Sequence, residues 1–225
     1  MNLENKILYE DNHLLIVNKP CGLLAQGDKT QDICLLDLSK AYIKEKYHKP
    51  GNVYLGLPHR LDRPVSGITI LSKTSKALTR MNEIFKNRKI TKTYHAIVTH
   101  EPKPHQATLI HYLKKFEKLN FAKVYSTAAP GTVQAKLHYH LLVTKDHNHL
   151  LELNLETGRH HQIRAQLSAI GCAIYGDKKY GSKFYIDRHS IALHCRSCTF
   201  DHPISNEKLN IVAKYPNKKI WQHFK

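Results

Sequence analysis

Acidic residues are scarce in this chain. Eighteen Asp and Glu face thirty-five Lys and Arg, a formal net charge of +17 over 225 residues. That excess favours a polyanionic partner, nucleic acid before a membrane, because no apolar run is long enough to span a bilayer. A basic, solvated surface carries the same signal, and charge alone says nothing about chemistry. Cysteine is sparse and odd in number: Cys21, Cys34, Cys172, Cys195 and Cys198 are scattered, which fits no disulfide framework and suits a reducing compartment. The opening Met-Asn-Leu-Glu-Asn-Lys lacks a basic start followed by a long apolar core, so no secretory signal is expected and the cytoplasm is the expected location. Walker A, Gly-x-Gly-x-x-Gly and Gly-x-Ser-x-Gly patterns are absent, which removes nucleotide-driven and serine-hydrolase readings. No linker, repeat or heptad run interrupts the chain. Its 41% hydrophobic and 24% charged content is that of a folded globular protein.

Leu14–Asn18 is a short apolar strand ending at Lys19-Pro20, with a turn at Gly22. Asp32 is placed to cap a helix running to about Tyr47, with Leu35, Leu38 and Tyr42 on one face. Gly67–Ser72 reads as a buried strand, and Ser75 as the cap of a helix striped by Leu78, Met81 and Phe85. Tyr94–Val98 is another strand. Gln134–Val143 and His149–Leu155 form a hairpin around Asp146-His147-Asn148. A helix is expected from about Arg159 to Ala169, and late strands at Ser190–Phe200 and Leu209–Ala213. Many strands and some three helices make an α+β fold, not a regular βαβ array.

Three clusters carry possible chemistry. His59-Arg60-Leu61-Asp62-Arg63-Pro64-Val65-Ser66-Gly67 sets one carboxylate between two arginines, and nearby cations favour its ionised form. The pattern suits a poised nucleophile and equally a surface salt-bridge cluster. In Thr157-Gly158-Arg159-His160-His161-Gln162-Ile163-Arg164, Arg164 flanks an apolar helical face, well placed for a fixed ion pair with a carboxylate. The Gly-, Arg- and His-rich start suits a phosphate contact, or an ordinary basic helix N-terminus. In Lys92-Thr93-Tyr94, the tyrosine is a core residue or a partner that stacks on a nucleobase. Seventeen histidines and Cys195-Arg-Ser-Cys198 invite a metal reading. Residues three apart on a strand face opposite ways, and no second cysteine pair completes four ligands.

In this order the segments resemble the catalytic domain of the RluA-type RNA pseudouridine synthases. The resemblance runs from Ile7–Pro20 and Gly22-Leu23-Leu24 through His59-Arg60-Leu61-Asp62, Ser66-Gly67 and Lys92-Thr93-Tyr94. It continues in Thr157–Arg164, Gly176-Asp177, Tyr180-Gly181, Leu193-His194 and His202-Pro203. It implies one catalytic domain over 1–225, with a central mixed or antiparallel sheet, flanking helices and an active-site cleft. Asp62 would be the catalytic aspartate, Tyr94 the active-site tyrosine and Arg164 the partner of Asp62. Leu167 would line the uracil pocket, with Arg60, Arg159 and His161 on the substrate side. Val65 stands where the family usually has Thr, which removes one hydroxyl. With the resemblance starting near Ile7, the S4-like domain of many relatives is not expected.

The resemblance implies isomerisation of uridine to pseudouridine in transfer RNA or large-subunit ribosomal RNA. Nothing is oxidised, reduced or hydrolysed, so neither cofactor nor metal is expected, and no obligatory protein partner. A glycoside hydrolase would need two carboxylates and a water; this reaction needs one carboxylate and a dry pocket. An RNA-binding protein on the same fold, with chemistry dispensable, and a zinc-dependent nucleic-acid enzyme are the alternatives.

Overall fold

A computed structural model of the chain describes residues 3–224. In chain order its strands are β1 (Ile7–Glu10), β2 (Leu14–Lys19), β3 (Ser66–Ser72), β4 (Ile90–Val98), β5 (Gln106–Phe116), β6 (Phe121–Tyr125), β7 (Val133–Lys145), β8 (Asn148–Leu155), β9 (Leu193–Asp201) and β10 (Lys208–Val212). The helices are α1 (Leu35–Lys46), α2 (Ser75–Lys86), α3 (Gln162–Ala169) and the short α4 (Lys219–Gln222). The α+β class is as expected. Two compact units result, Met1–Lys92 with Cys195–Pro216, and Thr93–His194 with Asn217–Lys225.

In the first unit the strand order is β1-β2-β3-β9, with β10 paired along β9. Buried segments rich in Leu, Ile and Val make β2 and β3. All seven residues of β3 are buried, and β2 meets it antiparallel from Leu14 opposite Ser72 to Lys19 opposite Gly67. Leu15, Val17, Leu35, Ile43, Val53, Leu55 and Leu71 share one core cluster, so α1 is held by the apolar face that its sequence predicted. Its start differs from expectation. Cys34 is the N-cap, and its N–H and Sγ–H both donate to Asp37 Oδ2. Asp32 pairs with Arg63 instead. At α2 the cap is Thr74, one residue earlier than expected, its Oγ1 accepting from Ala77 N–H.

In the second unit the order is β4-β8-β7-β5-β6. The β7–β8 hairpin closes through Asp146 and His147, both with positive φ (48° and 58°), as a two-residue turn matched to strand twist requires. Strands β5 and β6, unread in the sequence, pair from Tyr112 opposite Tyr125 to Phe116 opposite Phe121. Leu113, Ala122, Ala135, Ala165 and Tyr180 form the core that seats α3. That helix begins at Gln162, three residues later than expected, and Gln162 through Leu167 are all buried. Among the described residues, no helix is long and apolar enough to cross a membrane.

Candidate active site

Asp62 sits in the first unit, on the loop that enters β3, half-buried. Val65 N–H closes a turn onto the Asp62 carbonyl at 3.0 Å. The loop is tied to the end of β2 at Arg63 and Gly22. Gly22 N–H donates to Arg63 O at 2.8 Å, and Arg63 Nε returns to Gly22 O at 3.0 Å. Lys19 secures the same junction from inside. Its Nζ has no solvent exposure and donates to Leu23 O at 2.7 Å, Pro20 O at 3.1 Å and Arg63 O at 3.3 Å. Burial pulls the Lys19 ammonium down to about 7, although the charges of Cys21 and Asp62 push the other way. A buried cation is tolerated only where acceptors replace its water, and three carbonyls do so here.

The two arginines beside Asp62 have different surroundings. Arg63 directs Nη1 to Asp32 Oδ2 at 2.8 Å, so its guanidinium clamps the loop and is not reserved for Asp62. Arg60 is exposed. His59, first in the motif, is structural: Nε2 accepts from Ile70 N–H at 3.0 Å and the ring stacks on Phe85 at 4.8 Å. Burial, then the charge of Lys92, holds its pKa near 3, so the imidazole is neutral with its proton on Nδ1. Gly67 is obligatory. Its φ is +115°, and a Cβ there would collide with the backbone O and N of Cys195 on β9.

Arg164, on α3 in the second unit, is buried. Its Nε lies 2.7 Å from Asp177 Oδ2 and its Nη2 2.9 Å from Asp177 Oδ1, a forked pair that fixes the plane of the guanidinium. Its Cζ lies over the Tyr180 ring at 5.0 Å. Tyr180 Oη accepts from Ala122 N–H at 2.8 Å and meets His161 Nδ1 at 2.9 Å. Burial and the charge of Arg164 push His161 down to about 2. The ring is therefore neutral, with one nitrogen a donor and the other an acceptor.

The motif around Arg164 is braced by its own side chains. Thr157 Oγ1 accepts from Lys136 N–H at 2.8 Å and donates to Gln162 Oε1 at 2.8 Å. Gln162 Oε1 also accepts from Arg159 N–H, and its Nε2 donates to Lys136 O. This brace, with His161 in the left-handed region at φ 51°, delays the helix to Gln162. Arg159 is exposed and bonds through Nε to Gln134 O.

The second unit thus brings Arg164 and His161 together through Asp177 and Tyr180, with Leu167 fully buried on the same helix. Tyr94 lies buried on β4, opposite Leu153 of β8. Asp62 and Arg60 belong to the other unit. Sequence reasoning gave no individual role to Lys19, Asp177, Tyr180 or the Thr157–Gln162 brace. A lysine closing a mostly apolar strand, Leu-Leu-Ile-Val-Asn-Lys, was the available signal for the first. Cys195 and Cys198 are buried, reduced thiols, and burial pushes the Cys198 thiol up.

Residues 13–169 match the family described as RNA pseudouridylate synthase, a span that contains Asp62, Tyr94 and Arg164. Ribosomal large subunit pseudouridine synthase C of Buchnera aphidicola (subsp. Acyrthosiphon pisum) is 33% identical over 220 residues, covering 94% of this chain and 68% of that protein. The Rickettsia felis protein of the same name is 29% identical over 212 residues, covering 93% and 67%. Among solved structures, human RNA pseudouridylate synthase domain containing 4 superposes with a TM-score of 0.82 at 25% identity, over 98% of this chain and 92% of that one. The chain belongs to the RNA pseudouridine synthase family. Its members are isomerases that act on uridine in RNA.

Proposed function

We propose that this chain isomerises a flipped-out uridine of large-subunit ribosomal RNA, with Asp62 as the nucleophile. The observation that carries the reading is the clamped loop beneath Asp62, where a buried lysine and a forked arginine hold the backbone next to that carboxylate. Such fixation is what a reacting group needs to stay in attack geometry. The relatives' names, which specify the ribosomal large subunit, support that RNA over transfer RNA, and ribosomal RNA as substrate fits a cytoplasmic location.

In the proposed reaction the bond from the ribose to the ring nitrogen breaks, the uracil turns, and a bond from the ribose to a ring carbon forms. The ring carbon loses its proton and the nitrogen gains one. Arg164, held in plane by Asp177, is the arginine that the family resemblance assigns to the Asp62 carboxylate, where a cation would favour the ionised form. Tyr94 stacks on the base or moves the proton, and Leu167, buried on α3, backs a site from which water is excluded. Arg60 and Arg159, both exposed, meet phosphate. His161 meets the substrate as a neutral ring. No electron is transferred and no water is consumed, so the scheme requires neither cofactor nor metal.

The test is pseudouridine mapping of ribosomal and transfer RNA by carbodiimide labelling and reverse transcription, with wild type or Asp62→Asn. A ribosomal uridine modified only by wild type is the expected result. A modified transfer RNA would replace the substrate. Product from Asp62→Asn at the wild-type rate would refute the nucleophile.

A further inference from the structure

The segment after η3 (Lys178–Tyr180) in the second unit exposes aromatic surface that the fold does not use. Phe184 is 47% exposed and Tyr185 57%. Phe184 stacks on the half-buried Tyr175 at 5.0 Å between centroids, the planes 28° apart. Lys178 Nζ sits over the Tyr185 ring at 5.3 Å. Lys183 and Arg188 are exposed on the same loop, while its one acid, Asp187, is paired with Lys218 at 2.8 Å. The segment presents rings and unneutralised positive charge together.

The frame under these rings is rigid. Ser182 Oγ accepts from both Gly176 N–H and Phe184 N–H, and Ser182 N–H donates to Asp177 O. Gly176 has φ +87°, and a Cβ there would press on Ser190 O and the Ile186 side chain. Tyr175 is bonded on both sides, its N–H to Ile97 O and its carbonyl to Ala192 N–H. Asp177 therefore anchors this loop by its backbone while its carboxylate receives Arg164.

We propose that Phe184 and Tyr185, flanked by Lys178, Lys183 and Arg188, form a stacking platform for an unpaired nucleotide of the substrate RNA beside the target uridine. The proposal rests on the pseudouridine synthase reading. Its chemistry is that of single-strand recognition, in which rings take the faces of bases while lysine and arginine take the phosphates. Every base has a π-face, so the platform adds affinity and register without reading sequence. The shared anchor at Asp177 fixes the distance between the platform and Arg164.

The test uses the full chain and a short single-stranded RNA carrying 2-aminopurine, whose fluorescence is quenched on stacking. Wild type is expected to quench it. Phe184→Leu with Tyr185→Leu should abolish the quench and weaken binding about tenfold or more, while Tyr185→Phe keeps both. Both substitutions lie on the exposed surface, and a circular dichroism spectrum like wild type's confirms that the variant folds. Quenching by the double variant equal to wild type overturns the proposal. So does lost binding in Lys178→Gln with Lys183→Gln when the leucine variant binds normally, since the site would then be purely electrostatic. Absence of any quench by wild type also overturns it and leaves the rings to a protein partner. The assay reads no product, so quenching by a protein that makes no pseudouridine would refute the enzymatic reading and uphold the platform.

Discussion

Arg164 grips Asp177 through two nitrogens, at 2.7 and 2.9 Å, with both side chains almost wholly out of solvent. The arginine that the resemblance assigns to catalysis is thus oriented by a second carboxylate. Removing one partner of a buried pair costs roughly 3–5 kcal/mol. Asp177→Asn should lower the urea midpoint accordingly and reduce turnover even where the protein remains folded. A variant with wild-type stability and turnover would remove Asp177 from the arrangement.

Lys19 should titrate near 7, far below the ordinary 10.5 of lysine. Its 13Cε resonance is the direct probe. The charge of Asp62 raises that value, so Asp62→Asn should move the Lys19 midpoint lower still. A midpoint near 10, or one indifferent to Asp62→Asn, would contradict the burial of Lys19 or its electrostatic coupling to Asp62.

His59 and His161 are held neutral to about pH 3 and 2, against 6.5 for free histidine. Between pH 6.5 and about 3 the unfolded chain binds protons that the folded chain refuses. Their contribution is complete above 6.5 and is lost as the pH falls through that window. His59→Gln, which keeps an acceptor for Ile70 N–H, should be less stable than wild type at pH 7 and converge on it towards pH 4. Parallel curves of urea midpoint against pH would show that His59 is not the group.

Gly67→Ala combines a left-handed φ with a Cβ driven into the Cys195 backbone. The expected loss is about 3 kcal/mol or more, since strain of 1–3 kcal/mol adds to the clash. An unchanged denaturation midpoint would disprove the close approach of β3 and β9.

Elements whose burial is continuous or whose turns are chemically marked were legible in the sequence. Leu14–Asn18 and Gly67–Ser72 are apolar runs, and Asp-His-Asn marks the β7–β8 turn. β5 was not legible, because its two best-buried residues, Leu109 and Leu113, lie four apart. That spacing imitates a helix as well as a strand face. The start of α3 was misread because the Thr157–Gln162 brace is a side-chain contact that no periodicity reports. At the site, the chemical residue types were visible in their motifs. The buried supports were harder to see: Lys19 and Asp177 are residue types normally found in water, and only the fold shows their acceptors and donors. Asp32 was read as a helix cap from its place before an apolar stripe, and the competing attraction of Arg63 decided otherwise.

The assignment of Cys195–Pro216 to the first unit has a consequence for the nascent chain. β3, the strand entered directly from the Asp62 loop, has β9 as its neighbour on one side. Emerging from a ribosome, the chain displays Asp62 with strands β4 to β8 still to come before that neighbour exists. Until then β3, all of whose residues are buried in the finished fold, has an open edge, the condition that invites wrong pairing. The sheet begun by β1–β3 is therefore completed only after the second unit's strands are made, and a chain stopped short of Cys195 would carry the aspartate on an unfinished sheet.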